Sequence, residues 1–290
     1  MKPAPFALHR PTDLAEALEL LATLGPDAKV LAGGQSLLPT MNMRLAAPSA
    51  LVDLSRLAAL KGVEVKSDHV RIGAATTYAA FLADPASIHV PLLRLALPHV
   101  ANAAVRNRGT LGGSLCHADP SAETAGSLLA LDARLELAWR DGVRQVPVAD
   151  FLRGVFQTAL RPGELLRAIL VPRPVPAWSW FDEHVRRRGD FAIAGLAAVG
   201  TPAGGAVAGL RLVFIGLGDR AVLAEDTMAR LAQAPFDAPS IARAVAGLPV
   251  ELAARAGAGA GADAYRIALT QDLLARALAA AGASVREDHP

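Results

Sequence analysis

Proline fixes φ and carries no amide proton, so three prolines within five residues continue neither a helix nor a sheet. Pro172-Arg173-Pro174-Val175-Pro176 is such a run, and it divides the 290-residue chain into a longer N-terminal part and a shorter C-terminal part. That length already exceeds what one hydrophobic core usually organises, so two or three compact units are expected. The apolar material to build them is present. Hydrophobic residues make up 52% of the chain and charged residues 19%, the composition of a folded protein and not of a disordered one. Aromatic residues are only 4%, so the cores must rest on Leu, Val, Ile and Ala.

Before the proline run, the spacing predicts a first helix with Thr12 as its cap and Leu14, Leu18 and Leu21 on one face, stopped by Gly25. Residues 29–32 read as a short buried strand that runs into Gly33-Gly34, and 51–54 as a second. A hairpin over 64–65 and 70–72, a helix capped by Thr76, and an apolar run over 92–97 come next. Residues 105–114 then give a second strand-like approach into a glycine pair, Gly112-Gly113. A helix over 123–131, a hairpin turning at Asp141-Gly142 and a closing strand over 165–171 complete this part.

After the prolines, strands are predicted near 178–187, 191–199 and 210–217, then three helical stretches. The last follows the Ala-Gly repeat at 256–262, with Asp263 as cap and Leu269, Leu273 and Ala277 as its stripe. Strands and helices mixed without regular β-α-β spacing make the fold class α+β.

Composition excludes several functions. Basic residues number 29 against 27 acidic ones, and the one dense basic run, Arg186-Arg187-Arg188, lacks interleaved aromatics, so no nucleic-acid partner is expected. The single cysteine, Cys116, rules out an intrachain disulfide and an iron–sulfur cluster held by this chain's own thiolates. It reads as a small core filler. No signal peptide, membrane span or metal-ligand spacing is present in the sequence, so a cytoplasmic location is the expectation. His117, beside the turn-forming Asp119-Pro120, reads as part of that turn, and no catalytic residue is assigned.

The glycine pairs carry the chemistry. Adjacent glycines reach φ > 0 and let phosphate oxygens approach converging backbone amides. Gln35 and Ser36 follow the first pair and Ser114 the second, adding small polar donors. One Gly-Gly is most often only a tight turn; two of them, each read as following a strand, point to a paired clamp for a dinucleotide. Neither pair fits G-x-G-x-x-G opening a helix in a β-α-β unit, and no P-loop occurs, which removes ordinary nicotinamide chemistry and ATP hydrolysis. A ligand of about fifty heavy atoms at roughly 0.3 kcal/mol each reaches nanomolar affinity without covalent attachment.

Four blocks, AGGQSLLPTMNMRLA at 32–46, VRNRGTLGGSLCHADPSAE at 105–123, RRRGDFAIAG at 186–195 and AYR at 264–266, together resemble the FAD-binding medium subunit of the molybdenum hydroxylases, the group of aerobic carbon monoxide dehydrogenase and xanthine dehydrogenase. The resemblance runs nearly end to end. It implies FAD as cofactor and a vanillyl-alcohol-oxidase-type fold, with α+β subdomains over 1–57 and 58–175 and a small C-terminal α/β domain over 176–290. It implies that Ala32, Gly33, Gly34, Gln35, Ser36 and Leu37, with Thr110, Leu111, Gly112, Gly113 and Ser114, hold the pyrophosphate and ribityl region. By the same resemblance Val100 lies near the flavin, Leu166 meets the cofactor through its backbone, and Glu123 accepts from a ribose or ribityl hydroxyl. For Glu123 the reading as a plain charge at a helix N-terminus stands beside this one. The chain departs from relatives that carry a lysine near the flavin: it has Phe181-Asp182-Glu183-His184 there.

The implied partners are a large molybdenum-cofactor subunit and a small 2Fe–2S subunit, assembled as a dimer of heterotrimers, with the FAD passing electrons from the partner's clusters to an external acceptor. The alternative is a stand-alone FAD-dependent oxidase or reductase of the same fold.

Overall fold

The computed structural model describes residues 2–255 and 263–287; the Ala-Gly repeat at 256–262 lies outside them. The N-terminal segment folds as β1 (Ala7–His9), α1 (Leu14–Leu24), β2 (Ala28–Leu31), α2 (Leu37–Asn42) and β3 (Ala50–Asp53). Its three strands form a parallel sheet in the order β1-β3-β2. The cap of α1 is Asp13 and not Thr12: the Asp13 carboxylate accepts the Glu16 amide at 2.9 Å, while the Thr12 amide donates to the Glu16 carboxylate at 2.7 Å. Two neighbouring capping residues compete here, and the carboxylate takes the helix end. Gly25, at φ 73°, ends the helix as predicted. Ala17, Leu18 and Leu21 bury against Val52 and Leu54, with Ala138 and Leu165 of the next sheet.

The middle of the chain runs β4 (Val63–Val65), β5 (His69–Gly73), α3 (Tyr78–Ala83), α4 (Pro91–Ala96), α5 (Ala103–Arg108), α6 (Leu111–His117), α7 (Glu123–Ala130), β6 (Arg134–Trp139), β7 (Gly142–Pro147), α8 (Val148–Phe151), β8 (Leu152–Gly154), β9 (Gln157–Thr158) and β10 (Leu165–Pro172). Strands β4-β5-β10-β6-β7 make an antiparallel sheet with β10 at its centre, which explains why β10 reads as a nearly continuous apolar run. Thr77, not Thr76, caps α3 by accepting the Ala80 amide at 3.1 Å. Thr76 is taken instead by the Gly62 amide at 3.0 Å. Helix α7 is buried along its whole length.

The C-terminal part runs β11 (Trp178–His184), β12 (Ala194–Ala203), β13 (Ala206–Ile215), β14 (Val222–Leu223), α9 (Glu225–Ala232), α10 (Ala238–Arg255) and α11 (Ala264–Glu287). The strands form an antiparallel meander. Strands β12 and β13 extend past the predicted ends to a two-residue turn, Gly204-Gly205, with φ 56° and 82°. Asp263 caps α11 as predicted, accepting the Arg266 amide at 2.8 Å. Alternate residues of this sheet serve two cores. Phe181, Ala197, Val199, Val213 and Ile215 join the core around α7, whereas Leu196, Ala198, Leu212 and Phe214 pack with Leu248 of α10 and Leu273 of α11. At Gly126 of α7 a Cβ would stand 2.5 Å from Ile215 Cγ2, so helix and sheet meet as closely as a glycine permits. The fold is α+β, with one core continuous across the proline run. Among the described residues, no helix is long and apolar enough to cross a membrane.

Candidate functional site

Strand β2 delivers the chain into Ala32-Gly33-Gly34-Gln35-Ser36 at its C-terminal end, and α2 begins at Leu37. Gly34 sits at φ 73°, the left-handed region where only glycine is at ease. Gly33 is constrained differently: a Cβ there would lie 2.2 Å from the carbonyl oxygen of Arg108 and 2.8 Å from Gly109 Cα. Within the loop Gln35 Nε2 donates to the Gly33 carbonyl at 3.1 Å, and the Leu38 amide of α2 donates to the Gly34 carbonyl at 3.1 Å. Among the described residues, the backbone amides of Gly33, Gly34, Gln35 and Ser36 donate to no protein acceptor, and Gln35 and Ser36 are exposed. Four consecutive unspent donors at the end of a parallel strand are an arrangement that can receive an anion.

The second pair corrects its prediction. No strand precedes it; α5 does, capped by Asn102, whose side chain accepts the Val105 amide at 3.0 Å. Gly112-Gly113 lie in the first turn of α6 at ordinary helical φ. Their amides are spent. Gly112 donates to the Ala74 carbonyl at 2.9 Å and Gly113 to Thr110 Oγ1 at 3.0 Å, while Leu111 donates to Thr76 and Ser114 to Thr110. Glycine is needed here for room: a Cβ on Gly112 would stand 2.5 Å from Ala74 Cβ and 2.6 Å from its carbonyl oxygen. Leu111 is fully buried in the core and offers a ligand neither side chain nor amide. Gly113 keeps part of its surface and looks across at Ala32, whose Cβ would be 3.5 Å from an added Cβ. The two motifs therefore meet twice, at Gly33 against Arg108-Gly109 and at Ala32 against Gly113.

The remaining predicted residues lie on other elements. Leu166, buried on β10, precedes a register shift, after which the Arg167 carbonyl accepts the Ala74 amide at 3.1 Å. Ala74 thus links Arg167, the neighbour of Leu166, to Gly112. Val100 ends a 3-10 turn whose carbonyl, with that of Ala101, accepts Arg106 Nη1 at 2.8 and 3.0 Å. Glu123 opens α7 and is 9% exposed. Burial pushes its pKa up to about 8; its own backbone amide and His99 oppose that, and the charges of Glu183 and Asp119 add to it.

Sequence reasoning missed two further buried or half-buried residues, Tyr78 and His99. The Tyr78 phenol is held above its ordinary pKa by burial, with the Ser114 and Thr124 hydroxyls beside it acting the other way. His99 meets Phe181 edge to face at 5.1 Å, and its Nδ1 lies 3.5 Å from Glu183 Oε1. No local pattern marks these residues; the only signal was an acidic strand residue where relatives carry a lysine. His117 lies on Phe156 at 4.8 Å, and Asp119 accepts the Ser121 amide at 2.8 Å in the predicted turn. Cys116 packs against the core around α7, and burial pushes its thiol up to about 12, far from a reactive thiolate.

Free amides, glycines that no side chain can replace, and buried hydroxyls and carboxyls suit a ligand that combines phosphate with sugar hydroxyls. Comparison with known proteins agrees. Residues 4–174 match the family described as the FAD binding domain in molybdopterin dehydrogenase, and 179–281 match the CO dehydrogenase flavoprotein C-terminal domain. The chain is 35% identical to the carbon monoxide dehydrogenase medium chain of Afipia carboxidovorans, over 99% of this chain and all of that one. It is 34% identical to the nicotine 6-hydroxylase medium subunit of Paenarthrobacter nicotinovorans, over 98% and 99% of the two. A solved carbon monoxide dehydrogenase from Hydrogenophaga pseudoflava, lacking the Mo-pyranopterin moiety, superposes with a TM-score of 0.90 at 34% identity, covering 98% and 99%.

Proposed function

Because the chain belongs to the FAD-binding medium subunits of the molybdenum hydroxylases, oxidoreductases built from several subunits, we propose that it is the electron-transfer subunit of such a complex. In that role a bound FAD supplies the redox carrier between the 2Fe–2S clusters of a small partner subunit and an external acceptor such as NAD⁺, a quinone or O₂. Oxidation of the substrate belongs to a large molybdenum-cofactor subunit.

The observation that carries the reading is the run of four free amides abutting the second motif. Gly33, Gly34, Gln35 and Ser36 would meet the pyrophosphate with backbone dipoles, as suits a permanently held dinucleotide. Ala32 and Leu37 would flank it. Thr110, Gly113 and Ser114 would close the other side, with Leu111 and Gly112 packed beneath as support. Val100 and Leu166 would border the flavin, and Glu123 would reach a sugar hydroxyl. This reading implies a vanillyl-alcohol-oxidase-type arrangement, with residues 1–57 and 58–175 around FAD and 176–290 as a C-terminal domain. The exposed Arg186, Arg187 and Arg188 then become docking residues in a cytoplasmic dimer of heterotrimers.

A Gly113→Val substitution tests the clamp. Its side chain would enter the space between Thr110 Oγ1, 2.6 Å from the Cβ, and Ala32. Flavin absorbance per chain should be lost while the circular dichroism spectrum stays; full flavin content would sink the clamp. Purification from the native host should bring both partners, and a stable flavoprotein isolated without them would favour a self-sufficient oxidase.

A further inference from the structure

A helix on a protein surface normally turns charged and polar side chains toward water. Helix α2 and the turn that ends it do not follow this rule. Between Ala32 and Val52 the only charged residue is Arg44, yet of residues 35–45 only Met41 is buried. Leu38 is 37% exposed, Met43 51% and Leu45 75%. Three large apolar side chains thus face solvent beside a single cation.

The stop of α2 holds Leu45 in that position. The Leu45 amide donates to the Thr40 carbonyl at 3.0 Å and the Arg44 amide to the Met41 carbonyl at 2.9 Å, the paired bonds of a Schellman motif. Arg44 takes the left-handed position at φ 59°, where glycine or asparagine would sit with less strain. In such a stop the apolar residue that follows commonly folds back onto the helix; Leu45 stays out. Strain that is kept at an exposed turn points to a use for what the turn presents. Arg44 Nε donates to the Lys2 carbonyl at 3.3 Å, which sets a second exposed basic residue beside the turn, and among the described residues neither side chain has a carboxylate partner.

Exposed leucine and methionine next to an arginine, with no acidic residue among them, have the composition of the centre of a protein–protein contact. Two observations select the partner. The first is position: a Leu38 methyl would stand 3.0 Å from a Cβ on Gly34, so the patch is continuous with the loop of free amides. Of the partners proposed above, the one that hands electrons to FAD must come close to it, whereas the large subunit need not. The second is sign. In a symmetric contact between two copies the same patch meets itself, and Arg44 and Lys2 would face their own counterparts with no carboxylate between 32 and 52 to neutralise them.

We propose that α2 and its stop are the docking surface for the small 2Fe–2S subunit, with Met43 and Leu45 entering an apolar pocket whose acidic rim pairs with Arg44 and Lys2. This rests on the electron-transfer reading above and adds to it the place of contact.

The test is to purify the tagged chain from its native host with the subunits it brings, and to read iron and FAD per chain. Wild type should carry both and shed iron as salt rises, because the rim is charged. Leu45→Glu should lower iron per chain by about tenfold or more, as for a central contact residue, with FAD per chain and melting temperature as in wild type, since Leu45 is exposed in the chain by itself. Arg44→Gly separates docking from folding. Glycine takes the left-handed position without strain, so this variant should melt higher than wild type and still hold roughly three- to tenfold less iron. Wild-type iron in both variants overturns the proposal. So does loss of FAD together with iron, which would make α2 part of the clamp, and so does loss of self-association with iron retained, which would make the patch a contact between copies. A wild-type chain that carries FAD and never any iron would end the electron-transfer reading, and this surface with it.

Discussion

The two glycine pairs look alike in sequence and do opposite things. At Gly33-Gly34 the backbone leaves four amides unspent and one residue in the left-handed region. At Gly112-Gly113 every amide from Leu111 to Ser114 is already bonded, and the backbone is plain helix. The first pair leaves donors free for a ligand, whereas the second lets α6 pack against Ala74 and so brings its half-buried edge up to Ala32. A glycine pair is thus ambiguous until its amides are accounted for. Conformational freedom explains Gly34, whereas lack of a side chain explains Gly33, Gly112 and Gly113.

The contrast is open to direct attack. Gly33→Ala should have the largest effect, because its Cβ would strike backbone, the Arg108 carbonyl at 2.2 Å. The two motifs would be forced apart. We expect about 3 kcal/mol of destabilisation, a melting point roughly 6–12 °C lower, and loss of FAD; wild-type melting with wild-type flavin content would show that the loops do not meet as described. Gly112→Ala should cost less, about 1–2 kcal/mol, because the contact with Ala74 is partly offset by the ~1 kcal/mol that alanine gains over glycine in a helix. Its signature is different. The flavin-free protein should melt lower while each folded chain still takes up FAD. A raised melting point would remove the steric account of the second pair.

Much of this was legible because it is local. The Gly25 stop, the Asp141-Gly142 hairpin and the apolar run of β10 depend on neighbours within a few residues, and the first glycine pair is marked by the strand that enters it. The approach to the second pair misled for a physical reason. Ala103–Arg108 is only six residues long, too short to display a helical period, and its valine and alternating arginines imitate a strand; Asn102 as a cap was the signal present. Thr12 and Thr76 were each off by one because an adjacent residue, Asp13 or Thr77, offered a second cap, and the choice depends on where the preceding segment ends. The pairing of Glu183 with His99 was out of reach. The two come from β11 and the turn before Val100, and only the packing of the C-terminal sheet onto the core around α7 brings them together.

The finest distinction between the pairs concerns a single amide. Gly113 would resemble the free amides of the first loop if Thr110 Oγ1 did not accept from it at 3.0 Å. Thr110→Val removes that acceptor while keeping the shape of the side chain. The loss of the cap should cost about 1 kcal/mol, roughly 2–4 °C in melting temperature, and Thr110→Ser should restore most of it. If Gly113 contributes only room, FAD affinity should shift by no more than about twofold once the folded fraction is matched, since one net hydrogen bond is worth about 1 kcal/mol and none to FAD is gained or lost. Tighter binding in Thr110→Val would mean that the freed amide has turned to the cofactor. The second pair would then be a latent copy of the first, held off by one hydroxyl.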